Sequence, residues 1–500
     1  MSAVLFAAVI STLTIDGAVE RAGGDYELVR FEVPAGVAEL EIQHDTLTGG
    51  AVLDWGLWDP SGFRGWGGGL VDPLVVGSSA ASRGYLPGPM PPGTWTVVIG
   101  KASLPGGAAD YRLVITLRDA ETLTPSPRQD WVDTTVATGA RWYRGDFHVH
   151  TRESGDAPAQ LEEVIALARS RGLDFIALSD HNTVSQHGLL AARQPTLTDL
   201  LLLRAAEVTT YGGHANAIGI SSYVDHRIGL AGRTAVGLAG DVTAQGGVLS
   251  INHPALQLGD ACIGCAWDHD DTPWDQVHGI ELQTAAYEAT IGLFTPRAIA
   301  LWEAQLADGH RLAAMGGSDD HRAGMGTGVN DAPVGSPTTL VWAEELSEAG
   351  IVAGIRAGRT VVLLRGPDDP IAELFIEAGG ERGMIGDTVT GARVTVEVRV
   401  TGGSGLDAML YRNGAEAELV DLDSDDVVAR FDLDTSAAGD RYHLEVLADF
   451  LPVTVTSHVY ATYAPPTGGG CGCRSGGTGG GLVILILVGL GLIRHRVATR

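Results

Sequence analysis

Two parts of the chain alternate apolar and polar residues with a period of two, in short runs separated by turn sequences such as PPG and LPGG. This period places successive side chains on opposite faces of a strand, so each run predicts a half-buried β-strand. Short strands at regular spacing are typical of a β-sandwich. We therefore predict one β-sandwich over residues 21–125 and a second over residues 367–465.

Residues 140–366, between these parts, alternate strand and helix patterns. In residues 161–171, apolar side chains recur at positions 161, 164, 165 and 168, the spacing of an amphipathic helix that Gly172 ends. The buried strand LDFIALS follows. The later candidate strands are LLLLRAAEVT, HANAIGI, GGVLSIN, VHGIELQ and RLAAMGGS, with candidate helices near residues 234–245, 296–309 and 344–357. This alternation predicts a parallel α/β barrel between the two sandwiches.

Both ends of the chain carry apolar segments. Residues 1–20 contain an apolar run with no basic region before it, so they are a candidate signal segment or simply the first strand. A glycine-rich stretch, residues 466–481, precedes a predicted short transmembrane anchor with a basic tail, residues 482–500. The purely apolar run of this anchor has 12 residues. That is short against the ~20 that span a bilayer, and the flanking glycines lengthen it.

The arginines after this segment predict a cytoplasmic C-terminus with everything upstream outside. We therefore expect an exported, extracytoplasmic protein that its C-terminus anchors to the membrane or cell surface. A glycine linker with Cys471 and Cys473, an apolar segment and terminal arginines resemble the C-terminal sorting signals of bacterial surface proteins, the myxobacterial type in particular. That resemblance implies a sorting protease as a partner. A plain stop-transfer helix would give the same orientation.

Composition removes one class of partner. The formal net charge is −28 and Lys101 is the only lysine. A nucleic-acid groove needs clustered Lys and Arg to neutralise phosphates, so we expect a small-molecule substrate and no nucleic acid. Of the four cysteines, Cys262 and Cys265 form a CxxC sequence that would close a small disulfide loop in an oxidising compartment. A redox or metal-binding role for this pair is the alternative.

Metal-ligating residue types occur where predicted strands end. His148 and His150 are two positions apart on a strand, so their side chains project to the same side. The others are Asp180 and His181 after LDFIALS, Glu207, His214, His253 in NHP, Glu281, and Asp319 to His321 after RLAAMGGS. The C-terminal ends of barrel strands are where α/β barrels place their chemistry. Imidazole and carboxylate ligands suit Zn²⁺, Mn²⁺ or Fe²⁺, and about nine of them imply two or three ions rather than one.

Four motifs carry a resemblance to a known family. HVHT, SDHN, NHP and GGSDDHR, in this order and spacing, resemble the motifs of the polymerase and histidinol phosphatase (PHP) family over residues 140–365. The family has a distorted (β/α)7 barrel and binds up to three metals. The flanking domains and the sequence ACIGCAW are similar to the CehA/McbA branch, the metallohydrolases of the carbaryl-hydrolase type.

The resemblance implies a role for each candidate residue. The implied ligand groups are His148, His150 and Asp319 for one ion, Glu207 as a bridge to a second ion held by His214 and His253, and Asp156, His181 and His321 for a third. Asp156 lies one residue later than the family pattern, and its SDG tripeptide is absent. Asp180 is expected to orient a ligand histidine through the free ring nitrogen, and Asp320 and Glu281 to support the ligands.

No Ser-His-Asp pattern is present, so the expected nucleophile is hydroxide on a metal ion, with Asp180 or a metal-free histidine as a proton shuttle. The first hypothesis is a metal-dependent phosphoesterase acting on a small phosphate ester, with Arg152 and Arg322 as phosphate clamps. The second is a hydrolase of carboxyl esters or carbamates, as the branch resemblance implies, because a neutral substrate needs no cationic clamp. The third is a non-catalytic surface module that its metals stabilise.

Overall fold

The computed structural model describes residues 7–259, 262–328 and 331–465. Its N-terminal part is a β-sandwich of two four-stranded antiparallel sheets, in the strand orders β1-β8-β3-β6 and β2-β7-β4-β5. The alternating side chains of both sheets meet in one core, where Leu40, Ile42, Trp95 and Val97 are fully buried. The strands are β1 Val9–Glu20, β2 Tyr26–Val33, β3 Glu39–Thr46, β4 Val52–Asp59, β5 Gly62–Trp66, β6 Leu74–Gly77, β7 Gly93–Ser103 and β8 Ala108–Arg118.

The first strand changes the predicted N-terminal boundary. β1 pairs along its length with β8, from Val9 opposite Arg118 to Glu20 opposite Ala108. Val19 is buried in the core of the sandwich. Most of the segment 1–20 is therefore a strand of the first sandwich, which begins before residue 21, and removal of residues 1–20 would remove an edge strand of one sheet.

The central part is built around consecutive strands in the order β15-β14-β13-β12-β11-β10-β9, after which β16 and β17 continue the same sheet. The two ends of the row meet, because the amide of Asp319 donates to the carbonyl of His148 at 2.8 Å and the amide of His150 donates to the carbonyl of Asp320 at 3.0 Å. The strands are β9 Thr135–Val149, β10 Phe175–Leu178, β11 Leu201–Thr210, β12 Gly213–Ile218, β13 Val248–Ile251, β14 Gly279–Thr284, β15 Ala313–Gly317, β16 Thr338–Ser347 and β17 Thr360–Leu363.

The helices between these strands are α1 Leu161–Ser170, α2 His187–Arg193, α3 Ala235–Ala244, α4 Tyr287–Thr290, α5 Phe294–Ala307 and α6 Glu348–Arg356. In α1 the buried side chains are Val164, Ile165 and Ala168, as the apolar spacing indicates. The helix predicted over 344–357 begins later, because β16 continues to Ser347. The hydroxyl of Ser347 then accepts a hydrogen bond from the amide of Gly350 at 3.0 Å and caps α6.

The expectation of a parallel barrel does not hold at every strand. β16 runs antiparallel to its neighbours β9 and β17. β12 runs antiparallel to both β11 and β13. Only Tyr211 and Gly212 separate β11 from β12. Parallel neighbours need a crossover of a dozen or more residues, whereas a two-residue turn makes an antiparallel hairpin. The reversal brings the first residues of β12 to the same edge as the last residues of its parallel neighbours.

The C-terminal part is a second sandwich that shares a sheet with the central part. One layer is the antiparallel sheet β19-β18-β21-β24, and the other continues from β17 through β26, β25 and β22 to β23. Leu340 and Val361 of the central strands lie in the same core as Leu374 and Val396. The strands are β18 Ile371–Ala378, β19 Glu381–Met384, β20 Thr388–Thr390, β21 Arg393–Thr401, β22 Asp407–Arg412, β23 Ala415–Asp421, β24 Asp426–Asp434, β25 Asp440–Ala448, β26 Leu451–Thr456 and β27 Val459–Thr462. The predicted boundary at 366/367 therefore crosses a continuous sheet.

The predicted glycine-rich linker, residues 466–481, and the predicted anchor, residues 482–500, lie outside the described residues. Among the helices that the structure does describe, none combines the length and the apolar character that crossing a bilayer requires.

Candidate metal centre

The nine predicted ligands lie together at one edge of the central sheet. His148 and His150 stand at the end of β9 and project to the same side, because strand side chains alternate. His181, His253 and Asp319 follow β10, β13 and β15, which are parallel strands that end at this edge. His214 joins them from the start of the reversed strand β12.

Glu207 of β11 is the centre of this cluster and is fully buried. Its Oε1 lies 3.2 Å from Nε2 of His148, 3.3 Å from Nδ1 of His214 and 3.3 Å from Nε2 of His253. Its Oε2 lies 2.8 Å from Nδ1 of His181 and 3.6 Å from Nε2 of His150. One carboxylate thus faces five imidazoles, which is the position that a bridging ligand needs.

Two further carboxylates complete the arrangement. Oδ1 of Asp319 is 3.2 Å from Nε2 of His148 and 3.1 Å from Nε2 of His150. Oδ2 of Asp156 is 3.3 Å from Nε2 of His181 and 3.3 Å from Nε2 of His321. Asp156 therefore lies with the two histidines that the resemblance pairs it with, although its loop departs from the family pattern.

The buried polar atoms indicate that divalent cations fit this cluster. Nε2 of His148, Nε2 of His150 and Oε2 of Glu207 are buried and make no hydrogen bond among the described residues. Leaving buried polar atoms unpaired is costly, and a cation would satisfy all three at once. Nitrogen and oxygen donors without a thiolate suit Zn²⁺, Mn²⁺ or Fe²⁺.

The ionisable groups of the cluster shift one another's pKa values. Burial alone would lower the pKa of His148, but the charges of Glu207, Asp319 and Glu281 raise it well above its usual value. Burial, together with His321 and His181, lowers the pKa of His150 to about 3. The pKa values of these two neighbouring imidazoles are thus shifted in opposite directions. Neutral imidazoles and ionised carboxylates are the forms that bind metal.

The second ring nitrogens of the histidines have partners that fix the ring orientations. Nδ1 of His148 lies 2.9 Å from Oε1 of Glu281, and Nδ1 of His150 lies 2.9 Å from Oγ of Ser154. Nδ1 of His253 lies 2.9 Å from the carbonyl oxygen of Cys265. Such contacts orient metal-binding imidazoles and tune their basicity.

Asp180 does not contact the ring nitrogen of a ligand histidine, although the resemblance led us to expect this contact. Its carboxylate accepts hydrogen bonds from the amide of Thr151 at 2.6 Å, the hydroxyl of Thr151 at 2.9 Å and the amide of Ser154 at 3.1 Å. It is fully buried, and burial raises its pKa to about 7. Asp180 therefore holds the loop after β9 and contacts no ligand imidazole. Glu281 and Ser154 orient the rings instead. Its predicted role as a proton shuttle has no support in these contacts.

Arg152 and Arg322 do not lie where phosphate clamps would. Both side chains are exposed, and neither belongs to the described residues that line the cavity above the ligands. Thr151 and Ser154 are held inward by Asp180, which leaves Arg152 on the outer side of the loop. Asp320 accepts hydrogen bonds from the amides of Arg322, Gly324 and Val334, so it shapes the loop after β15.

The cavity has a volume of about 590 Å³, and the N-terminal sandwich forms one of its walls. Tyr26, Asp54 and Trp66 line it from that side, facing Tyr211 of the central part. The hydroxyl of Tyr211 donates to Oδ2 of Asp54 at 2.7 Å. Burial raises the pKa of Asp54 to about 6, against the lowering effect of this hydrogen bond.

These wall residues were not predicted from the sequence. The only signal for Asp54 is an acid inside the otherwise apolar run VLDWGLW. Nothing in the pattern of Tyr211 and Gly212 indicates that the tyrosine meets a residue more than 150 positions earlier.

The two cysteines of the CxxC sequence form a disulfide next to the cluster. Cys265 supplies the carbonyl beside His253, and the carbonyl oxygen of Ile263 lies 3.1 Å from Nε2 of His214. The disulfide loop thus positions two ligand histidines through its backbone. This pairing agrees with the predicted disulfide and not with the metal-binding alternative, because a paired cysteine has no free thiolate for a metal.

No family model matches the chain, and no curated protein matches it. Among solved structures it is similar to a two-domain protein of Bacteroides vulgatus whose name describes a predicted PHP-like metal-dependent phosphoesterase, with 19% identity and a TM-score of 0.35 over 67% of this chain and 100% of that one. A protein of Bifidobacterium adolescentis named as a candidate metal-dependent phosphoesterase shares 16% identity, with a TM-score of 0.26 over 38% of this chain and 91% of that one.

A calcium-binding mutant of β-glucuronidase 2 from Bacteroides uniformis is also similar, with 12% identity and a TM-score of 0.23 over 92% of this chain and 60% of that one. At TM-scores this low, the three similarities do not identify the family or the activity of this chain. The functional inference therefore rests on the geometry of the metal centre.

Proposed function

We propose that the protein is a metal-dependent hydrolase that acts on an ester bond. The observation that carries the proposal is one cluster of six imidazoles and three carboxylates, in which seven of the nine residues line a single cavity. Two or three divalent ions would be held by His148, His150 and Asp319, by Glu207 with His214 and His253, and by Asp156 with His181 and His321.

Bound divalent ions supply Lewis acidity and lower the pKa of water, which makes a hydroxide nucleophile available near neutral pH. The protein's own groups fix where this chemistry happens. Glu281, Ser154 and the carbonyl of Cys265 hold the rings of His148, His150 and His253. Asp54 is an acid of the cavity wall whose pKa lies near neutrality, so its carboxylate can take up or release a proton beside the substrate.

The residues that line the cavity are compatible with two classes of substrate. A small phosphate ester is the first candidate, because the ions themselves would neutralise the phosphate charge. A neutral carboxyl ester or carbamate is the second, and one observation favours it. Among the described residues that line the cavity there is no Arg or Lys, while Tyr26, Trp66 and Tyr211 are aromatic. The resemblance to the CehA/McbA branch supports the same class.

The test combines metal content with a substrate panel on the full-length protein. Metal is measured by mass spectrometry, and hydrolysis of p-nitrophenyl phosphate, bis-p-nitrophenyl phosphate and a naphthyl carbamate is assayed with and without a chelator. His150→Ala removes a predicted ligand, and His310→Ala is the matched control, because His310 contacts Asp275 at the surface.

Metal-dependent turnover that His150→Ala abolishes and His310→Ala keeps would support the proposal. Turnover of the phosphates would identify the first substrate class, and turnover of the carbamate alone the second. Two or three bound ions without turnover of any ester would favour the non-catalytic surface module. A folded protein that binds no metal would contradict the cluster itself.

The cellular position is a separate proposal. We infer an exported protein anchored through residues 482–500, with a sorting protease acting on the tail, from the glycine linker, apolar segment and terminal arginines. Fractionation of cells that carry the full chain or a chain ending at residue 465 tests it. The anchored form should sediment with membranes and be accessible to external protease, and equal solubility of both forms would contradict the anchor.

A further inference from the structure

A second cluster of histidines lies where the central part meets the C-terminal sandwich. Glu303 projects from α5, His443 from β25 and His458 from the turn between β26 and β27. His443 and His458 are almost completely buried, and Glu303 is partly buried. Within the described residues, none of the three lines the cavity above the candidate metal centre. The cluster is therefore independent of the proposed hydrolase site.

Three donor atoms of this cluster form a small triangle. Oε1 of Glu303 is 2.9 Å from Nε2 of His458 and 3.1 Å from Nδ1 of His443, and the two nitrogens are 3.2 Å apart. Ligands bound at 2.0–2.1 Å with angles of 90–110° are separated by roughly 2.8–3.4 Å. All three sides of the triangle fall within that interval.

With both imidazoles neutral, hydrogen bonds alone do not satisfy this triangle in the tautomer of His443 that Glu445 favours. Nε2 of His443 lies 3.4 Å from Oε1 of Glu445, which favours the proton on that nitrogen and leaves a lone pair on Nδ1. The carboxylate oxygen of Glu303 is also an acceptor. One N–H from His458 then has to serve two acceptors, whereas a cation would accept lone pairs from all three atoms.

The surroundings support a ligand role for Glu303. Arg441 donates to Oε2 of Glu303 at 2.7 Å, which orients the carboxylate and leaves Oε1 toward the histidines. Gly414 permits this close approach, because a Cβ there would lie 2.9 Å from Oε2. A carboxylate on the far nitrogen of a ligand histidine, as Glu445 provides for His443, is the usual support of a metal-binding imidazole.

We propose that Glu303, His443 and His458 bind one divalent transition-metal ion, Zn²⁺ by the nature of the donors, which ties α5 to the C-terminal sandwich. Two imidazoles and one carboxylate suit Zn²⁺, Mn²⁺ or Fe²⁺, and a small tetrahedral ion fits the short triangle. Three protein ligands leave one position for water. The ion joins an element of the central part to two segments of the sandwich, so its effect is on stability.

The first experiment counts metal in full-length variants after reconstitution with Zn²⁺. His458→Gln should lose one equivalent relative to wild type and keep any metal-dependent hydrolysis. His150→Ala, which leaves the second cluster intact, should lose only ions that His150 helps to hold, and adding His458→Gln should remove one further equivalent. His310→Gln is the matched control, because it changes a histidine close to the end of α5, outside the triangle. An unchanged zinc count in folded His458→Gln would overturn the proposal.

The second experiment does not depend on the folding of a ligand variant. Glu445→Gln keeps all three ligands but weakens the support of His443, and it should lower zinc affinity by about 10–100-fold. Zinc titration of the wild-type protein should raise the melting temperature, and Glu445→Gln should shift the part of that titration that the second cluster contributes to higher zinc. A zinc titration that Glu445→Gln leaves unchanged would overturn the proposal, and would mean that an imidazolium at His443, held between Glu303 and Glu445, occupies the site without metal.

Discussion

The two β-sandwiches have similar strand patterns but different relations to the centre of the molecule. The N-terminal sandwich closes within its own two sheets, and one of them faces the candidate metal centre. The C-terminal sandwich continues the central sheet through the pairing of β17 with β26. Among the described residues, cavity-lining side chains come from the N-terminal sandwich and the central part, and none from the C-terminal sandwich.

The contacts of the N-terminal sandwich are those of a docked domain. The ring of Phe63 stacks on Tyr223 with centroids 3.7 Å apart, and the guanidinium of Arg227 lies 4.0 Å from the ring centre of Trp58. Side-chain packing of this kind can separate without breaking a sheet. The N-terminal sandwich therefore forms a wall of the cavity, whereas the C-terminal sandwich is part of the framework that holds the strands.

The largest expected effect comes from core substitutions that distinguish the C-terminal sandwich, which shares a sheet with the central part, from the docked N-terminal sandwich. Leu374→Ala should lower the free energy of unfolding by about 2–5 kcal/mol, because Leu374 is fully buried in a core shared with β16 and β17. Urea unfolding followed by circular dichroism and by bound metal should show one common transition for the central part and this sandwich.

Leu57→Ala is the matched variant in the N-terminal core and is equally buried. It should lower the free energy of unfolding by a similar amount. The N-terminal sandwich should then unfold first, while metal stays bound to the central part. Two separate transitions for Leu374→Ala, with metal retained in the second, would contradict the shared framework.

Much of this organisation could be predicted from local periodicity. The pattern at 161, 164, 165 and 168 identifies the buried face of α1, and the two-residue spacing of His148 and His150 gives their common direction. Both inferences depend only on neighbouring residues. Most of the nine predicted ligands lie at or just after the C-terminal ends of strands, and the structure brings them together because those ends share an edge. His214 reaches the same edge from the start of the reversed strand β12.

The remaining features depend on distant partners. β17 pairs with β26 through residues such as Val361 and Thr456, which are far apart in sequence, so a boundary drawn from composition divides one sheet. Asp180 precedes a ligand histidine, yet backbone and hydroxyl donors of the loop after β9 occupy its carboxylate. Arg152 lies next to a ligand motif in sequence but on the outer side of its loop. Position in sequence does not determine which side chains face a cavity.

The second prediction concerns acid stability. In the N-terminal core, His44 is buried against the ring of Trp55, and burial lowers its pKa to about 4 from the usual 6.5. The folded state thus keeps His44 neutral while the unfolded state takes up a proton. Stability should therefore fall as pH drops from about 6.5 to 4 and level off below that, by up to about 3 kcal/mol.

His44→Leu should remove this part of the acid dependence, measured as the difference in melting temperature from wild type across pH 7 to 4. The C-terminal sandwich gives the contrast. Burial opposes it, but Arg412 and Ser436 lower the pKa of Asp440 to about 2. The stability that the ionised Asp440 contributes is fully present above the pKa that this residue has in the unfolded chain. It is lost only as pH falls from about 4 through 2. Parallel pH curves for His44→Leu and wild type would refute the assignment.

The smallest expected effect tests whether the N-terminal wall contacts the substrate. Tyr211→Phe removes the hydroxyl that donates to Asp54, a hydrogen bond worth about 1 kcal/mol, so kcat/KM for a hydrolysed ester should fall about 5-fold. Because this hydrogen bond lowers the pKa of Asp54, its loss should also move an Asp54-dependent limb of the pH profile to higher pH. Tyr460→Phe in β27 is the matched control, since Tyr460 lies under Arg311 outside the cavity. If both variants keep the wild-type kcat/KM and pH profile, the N-terminal sandwich borders the cavity without taking part in the reaction, and the functional distinction between the two sandwiches is lost.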